Sequence, residues 1–281
     1  MDPAAATTAY RVLAGATLAW VRVNRSVDRA QAIVQQATSG FLGAAFTTAE
    51  LNDLGLRLYG AAPGVYSALR GLMEWETAWY DASLPSPPAT ILVTAAGSGR
   101  EAAALVARGY TVDALEPEPG FAAVCASVPG LRDFVTADHN QLASAVLDGI
   151  SDPAAVLGGR TYDGVIIGWG SFTHLLDQAG RIRLLQAAGC LTPTGPVLLS
   201  FFAKGTRALP PSRLRSLSRA AGLRLARLRH VEPGAEAGDG IVWHLGFVHS
   251  FAEEDIEALA RSVGRHADYA SSPYGHATLR T

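Results

Sequence analysis

Chemistry in this chain concentrates first in Ile91-Leu92-Val93-Thr94-Ala95-Ala96-Gly97-Ser98-Gly99-Arg100-Glu101, with Tyr110 to Glu116 following closely. The apolar run reads as a buried strand, the glycines as a turn, and the residues from about Arg100 to Arg108 as a helix. Glycine lets a backbone approach a ligand closely, and the first turn of a helix offers N–H groups with no intrahelical partner. Glu116 ends the second strand 19 residues after Gly97, where a carboxylate can accept two hydrogen bonds from a ribose diol. A nucleoside is the implied ligand. The plainer reading makes Glu116 a solvated acid ahead of Pro117 and the glycines a simple tight turn.

A second group of residues follows the later strands. Thr136-Ala137-Asp138 puts an acid after a third strand, where it could read an adenine amino group or merely cap the helix opened by His139-Asn140. Gly168-Trp169-Gly170-Ser171-Phe172-Thr173-His174 places aromatic and imidazole side chains after Val165-Ile166-Ile167, at the end of the sheet where open α/β folds bind ligands. His174 is then either a satisfied histidine at a helix start or a general base. Trp169 is either an apolar plug or a pocket wall.

The elements that must position these residues differ between the two parts of the chain. Before residue 80 the apolar spacing is helical, as in Leu51, Leu54 and Leu58 or Leu69, Leu72, Met73 and Trp79, with punctuation at Gly40, Gly43 and Ala62-Pro63-Gly64. Thr47 with Glu50 three residues on predicts a capping box. Pro85, Pro87 and Pro88 then break any helix. Beyond them short apolar runs alternate with amphipathic stretches: Phe121 to Ser127 and Gln178 to Gly189 as helices, Phe134-Val135, Val165 to Ile167 and Val197 to Phe202 as strands. Ile241 to Ser250 is strand-like, and Phe251 to Asp255 opens a helix that Gly264 ends. The predicted fold is α/β, with a doubly wound, mostly parallel sheet over 89–281 and an N-terminal helical cap over 1–88.

Gly97-x-Gly99-x-x-Ala102 with an acid about 20 residues on also fits a dinucleotide fingerprint. The helical segment ahead of the motif, Asp138 after the third strand, and Leu191 to Leu199 leading into a fifth favour S-adenosylmethionine over NAD. Lys204 is the only lysine and has no tyrosine four residues before it, against a short-chain dehydrogenase.

In the order and spacing of these motifs the chain resembles the class I S-adenosylmethionine-dependent methyltransferases, over about residues 89 to 250. The resemblance implies a Rossmann-like fold, S-adenosylmethionine as cofactor and methyl transfer. It also implies that Ala95, Gly97 and Gly99 wrap the amino acid part, that Glu116 binds the ribose and Asp138 the adenine, and that Gly168, Trp169, Gly170 and the residues to His174 face the methyl group. Ser98, Pro117 and His139 complete the expected binding set. Two positions depart from the family's pattern: Val93 stands where an acid is usual, and Ala95 where the first glycine is.

His174 and Tyr80 are the catalytic candidates, with Glu76 beside Tyr80 as a secondary one. Trp75, Trp79, Tyr80 and Tyr66 read as core at helical spacing, or as a substrate wall if the cap folds over the cofactor. No base is strictly required, because the donor is already activated and positioning can supply most of the rate. A cofactor-binding scaffold without transfer activity and a non-methylating enzyme such as a cyclase stay open.

Composition narrows the partners. The chain has 281 residues, 49% of them apolar and 17% charged, with a net charge of −2. That suits a globular protein acting on a small molecule and argues against nucleic acid. Eight basic residues between Lys204 and Arg229 read as a solvated amphipathic helix, or else as a patch for an anionic partner. Cys125 and Cys190 read as buried thiols. His244 and His249, five apart, fall on opposite strand faces, and no metal site is expected. Val12 to Val21 is too short to span a bilayer, and Met1-Asp2-Pro3 lacks a signal peptide's basic start, so a cytoplasmic protein is expected, with a homodimer left open.

Overall fold

The computed structural model of the chain describes residues 3–61, 71–204, 212–236, 239–243 and 245–281, with side chains from residue 20 onward. Three helices come first: α1 (Pro3–Ala45), α2 (Thr48–Gly60) and α3 (Glu74–Ser83). The predicted capping box is present: Thr47 Oγ1 accepts from Glu50 N at 3.2 Å and Glu50 Oε2 accepts from Thr47 N at 2.8 Å. Helix α1 runs through Gly40 and Gly43, which were expected to break it. A β-carbon on Gly40 would collide with Ser218 and the Arg215 carbonyl, so this glycine admits a neighbouring helix rather than ending its own. Ala62-Pro63-Gly64 and Tyr66 lie outside the described residues.

The strands and helices then alternate as β1 (Thr90–Thr94), α4 (Arg100–Ala107), β2 (Thr111–Leu115), α5 (Pro119–Ala126), β3 (Asp133–Val135), α6 (His139–Leu147), the short α7 (Ala155–Gly158), β4 (Gly164–Ile167), α8 (Gln178–Leu191) and β5 (Val197–Ala203). After α9 (Arg213–Arg229) come β6 (Gly240–Val242), β7 (Gly246–Val248), β8 (Ser250–Phe251), α10 (Glu253–Ser262), β9 (His266–Ala270) and β10 (Gly275–Arg280). The main sheet has the order β3-β2-β1-β4-β5-β10-β9, with β8 added beside β5. β1 to β5 are parallel, and β10 runs antiparallel between β5 and β9. This is the doubly wound, mostly parallel Rossmann-like fold that the alternation predicts. The final hairpin of β9 and β10 had no sequence signal, since neither strand is a continuous apolar run.

Both faces of the sheet are covered. Leu92, Val165, Ile167, Val197 and Leu199 pack toward α6, α8 and α10. Ile91, Val93, Ile166 and Leu198 pack toward α3, α4 and α5, through Trp79, Tyr80, Ala102, Leu105 and Cys125. Alternate residues of one strand therefore serve opposite cores. Trp79 Nε1 donates to Thr278 Oγ1 at 2.8 Å, so α3 is fastened to β10 and its aromatic residues are core, as helical spacing predicts.

Helix α9 is not merely solvated. Gly222 sits against the Phe41 carbonyl and Ala44 of α1, and the Arg229 guanidinium bonds the Ala45 carbonyl and Glu50. Part of the basic stretch is thus spent on packing, and Arg207 lies outside the described residues. Trp20, Val23, Val27 and Val34 of α1 are exposed. Among the described residues no helix is long and apolar enough to cross a membrane. Cys125 is buried, but Cys190 is exposed, contrary to expectation. In α8 the core side is taken by Leu184, Leu185, Ala188 and Leu191, and Cys190 falls on the opposite face with Gln186.

Asp113, fully buried in β2, ties that strand to the segments leading into β3 and β4. It accepts from Arg132 Nε at 2.8 Å, Arg160 Nη1 at 2.8 Å and the Tyr162 hydroxyl at 2.9 Å. Burial raises its pKa, but the bonds from Arg132, Arg160 and Tyr162 outweigh that and hold it below the usual carboxylate value. Replacing Asp113 by Ala lowers stability by about 3 kcal/mol in chemical denaturation, as expected for a buried pair that loses one partner. Because the folded pKa is depressed, the contribution is present above the unfolded value of 3.8 and fades as pH falls below it.

Candidate functional site

A cavity opens at the C-terminal ends of β1, β2 and β4, where helices and loops turn away from the sheet. Its lining includes Ala95, Gly97, Ser98, Glu116, Pro117, Asp138, His139, Trp169 and His174 from the sequence-predicted set. Helix α2 walls one side with Leu51, Asn52, Leu56 and Tyr59, and Leu245 and Phe247 close another. Gly99, Gly168, Gly170 and Tyr80 are outside the lining. The sequence marked α2 as a helix but held nothing to say that it would roof this cavity.

The glycine turn is shaped by left-handed backbone at three alternate positions. Ala95 has φ +50°, Gly97 +57° and Gly99 +82°. Alanine at the first of these bears a strain of roughly 1–2 kcal/mol that glycine would not. Gly99 has a further constraint, since a β-carbon there would come within 2.6 Å of Val128 Cγ2 and 3.1 Å of Cys125 Sγ. Burial pushes the Cys125 thiol up to about 12, so it is packing rather than a nucleophile.

Glu116 is buried at the end of β2. Its Oε2 accepts from Gly97 N at 2.8 Å and its Oε1 from Glu118 N at 3.0 Å, which ties the turn to the neighbouring strand. A carboxylate has about four acceptor sites, so two remain for a ligand. Burial raises its pKa to about 7 despite those two bonds. Asp138 caps α6, accepting from Gln141 N at 2.8 Å, and also lines the cavity. Both readings of Asp138 are compatible with that placement.

Tyr80, expected as a catalytic candidate, is buried away from the cavity with its hydroxyl donating to Glu101. Burial, then the Glu101 charge, raises its pKa well above the usual value and keeps the phenol protonated. Glu76 is also committed: its carboxylate holds the Arg100 guanidinium at 2.6 Å through both oxygens. Glu101 is the residue that sequence reading missed. It lines the cavity at 4% exposure, and its Oε2 accepts from Trp169 N at 3.2 Å. An acid in the first turn after a glycine loop is the one signal that could have found it.

His174 faces the cavity, and its Nδ1 lies 3.3 Å from the Phe247 carbonyl. A carbonyl only accepts, so Nδ1 carries the proton and Nε2 keeps a free lone pair. His139 Nε2 lies 3.0 Å from Thr94 Oγ1. The Trp169 ring sits beside Arg100, whose guanidinium carbon is 5.5 Å from its centroid, and the indole Nε1 is buried without a hydrogen-bond partner among the described residues.

Away from this cavity, His249 gathers with Glu236 and Asp239, their ligand atoms within 4.8 Å of one another. Sequence spacing did not bring these three together. His249 Nδ1 is 2.6 Å from Asp239 Oδ1, and Arg181 stands 3.5 Å from Glu236, which is itself exposed. His244 lies outside the described residues.

No protein family model matches the chain, and no curated protein sequence matches it. Solved structures do. The amino pentose methyltransferase CalS10 from Micromonospora echinaspora is 16% identical, with 85% of this chain and 94% of that chain covered and a TM-score of 0.47. The sugar N-methyltransferase KedS8 from Streptoalloteichus sp ATCC 53650 is 16% identical over 74% of this chain and 85% of its own, with a TM-score of 0.48. DesVI from Streptomyces venezuelae is 12% identical over 73% and 89%, also with a TM-score of 0.48. Identity this low leaves the chemistry to the residues of this chain.

Burial lowers the pKa of both cavity histidines, His139 to about 4 and His174 below its usual value with partial compensation from the Phe247 carbonyl. Imidazole nitrogen NMR at pH 7 will show both rings neutral and His174 as the Nδ1–H tautomer. On acidification His139 will take up its proton only near pH 4.

Proposed function

We propose that the chain binds S-adenosylmethionine and transfers its methyl group to an oxygen or nitrogen of a small molecule. The observation that carries this reading is the pair of buried carboxylates, Glu116 and Glu101, on the two flanks of one glycine turn and facing one cavity. Glu116 has two acceptor sites left for a ribose diol. Glu101 occupies the first turn of α4, where a dinucleotide would place its pyrophosphate. A buried carboxylate there opposes an anion and favours a cation. S-adenosylmethionine offers both the diol and positive charge, whereas NAD would bring its diphosphate to the wrong side of Glu101.

In this reading Asp138 and His139 border the adenine, Ser98 and Pro117 border the sugar and the turn, and of the Gly168 to His174 segment the cavity-lining Trp169, Ser171 and His174 lie toward the methyl group. An acceptor lone pair attacks the methyl carbon in line, the carbon–sulfur bond breaks, and its electron pair stays on sulfur as the neutral thioether. If the acceptor carries a proton, the His174 Nε2 lone pair receives it. The helical cap over 1–88, through Leu51, Asn52, Leu56 and Tyr59 of α2, covers the acceptor and keeps water out. The Trp169 indole N–H is available to orient an acceptor that brings an oxygen. Enclosure by α2 and Phe247 suits a small molecule rather than a polymer.

Calorimetry tests the reading. S-adenosylmethionine and S-adenosylhomocysteine will bind, and NAD will not; preferential NAD binding overturns the proposal. Glu116→Ala will weaken S-adenosylhomocysteine at least tenfold, the loss expected for hydrogen bonds to a charged acceptor worth about 1.5–3 kcal/mol. The Glu116 carboxyl titrates at about 7, and only its ionised form accepts both diol protons. Affinity will therefore fall as pH drops below 7, by up to about tenfold per unit, and the profile of Glu116→Gln will be flatter.

A further inference from the structure

A carboxylate from α4 reaches the turn that follows β1. Glu101 Oε2 lies on the open side of Gly168: a β-carbon on that glycine would be 2.9 Å from the carbonyl oxygens of Thr94 and Ala95 and 3.1 Å from Glu101 Oε2. Thr94 O already accepts from Gly168 N at 2.9 Å. Three acceptor oxygens thus converge on a residue without a side chain, beside the cavity.

The Glu101 carboxylate itself is buried and receives two neutral donors, the Tyr80 hydroxyl and Trp169 N. Among the described residues it makes no ion pair. The nearest cation, Arg100, attracts the carboxylate through its charge but makes no hydrogen bond to it, being held by Glu76 at 2.6 Å through both guanidinium nitrogens and donating to the Gly71 carbonyl at 2.8 Å. Burial still outweighs that attraction, so the carboxylate is left only partly compensated, and a cationic ligand group bonded to it would reduce the remaining cost. Burial accordingly raises the Glu101 pKa in the ligand-free protein.

We propose that Glu101 receives the α-ammonium of the cofactor's methionine part, with the Ala95 carbonyl as a second acceptor and Tyr80 as the positioning residue that orients the carboxylate. The inference rests on the cofactor reading above. It makes Glu101 the residue that tells an amino acid-bearing nucleoside from a plain one.

Two ligands separate this role from a structural one. S-adenosylhomocysteine carries the ammonium; 5′-methylthioadenosine shares its adenosine and thioether but has no amino acid part. Glu101→Gln keeps the shape and removes the charge. It will weaken S-adenosylhomocysteine at least about tenfold, as loss of a charge-assisted bond requires, and methylthioadenosine less than about twofold. Tyr80→Phe, a milder change whose folding is checked by thermal melting, will weaken S-adenosylhomocysteine about threefold and leave methylthioadenosine unchanged. Equal losses for both ligands in either variant, or unchanged S-adenosylhomocysteine affinity, overturn the assignment while leaving the cofactor reading intact. If the unaltered protein binds neither ligand, the cofactor reading falls and this inference with it.

Discussion

The hydrogen bond from Gly97 N to Glu116 Oε2, at 2.8 Å, is the interaction on which the site depends. It joins the turn after β1 to the end of β2, so the left-handed conformations at Ala95, Gly97 and Gly99 are held from outside the turn itself. The same carboxylate then keeps two acceptor sites for a ligand. Its burial makes ionisation costly, which is why its proton comes off only at about 7. A structural role and spare acceptor capacity meet in one side chain.

The sheet separates stability from chemistry along its strands. Asp113, within β2, gathers Arg132, Arg160 and Tyr162 and ties the strands together with charges that are fully partnered. At the C-terminal edge the carboxylates of Glu116 and Glu101 are buried with neutral donors only. A paired buried charge stabilises, whereas an unpaired one stores a cost that only a ligand can lift. Tyr80 and Glu76 show how α3 serves this edge from behind. The Tyr80 hydroxyl donates to Glu101, and Glu76 takes the hydrogen bonds of Arg100.

The parallel part of the fold was legible because its strands are short continuous apolar runs, and burial on both faces demands that pattern. Gly97, Gly99 and Glu116 were legible because a turn that needs positive φ and a strand-end acid leave residue types at fixed spacing. Glu101 and the wall of α2 were not. A glutamate in a first helical turn is common, and nothing in the residues around Leu51 to Tyr59 states what their helix will face. Gly40 and Gly43 misled for a related reason: glycine marks either a break or a close approach, and the choice lies with a partner helix distant in the chain.

Local sequence therefore determined the elements, their alternation, the glycine turn and the capping box at Thr47, since each follows from backbone preferences and nearest neighbours. Tertiary structure alone decided that the buried Tyr80 hydroxyl would donate to Glu101, that Cys190 would face solvent, and that Glu236, Asp239 and His249 would meet. It also placed Glu101 beside Gly168, 67 positions further along the chain. Those outcomes depend on which surfaces pack together once the sheet is formed. Burial, which raises the pKa of Glu116 and Glu101, exists only after that packing is complete.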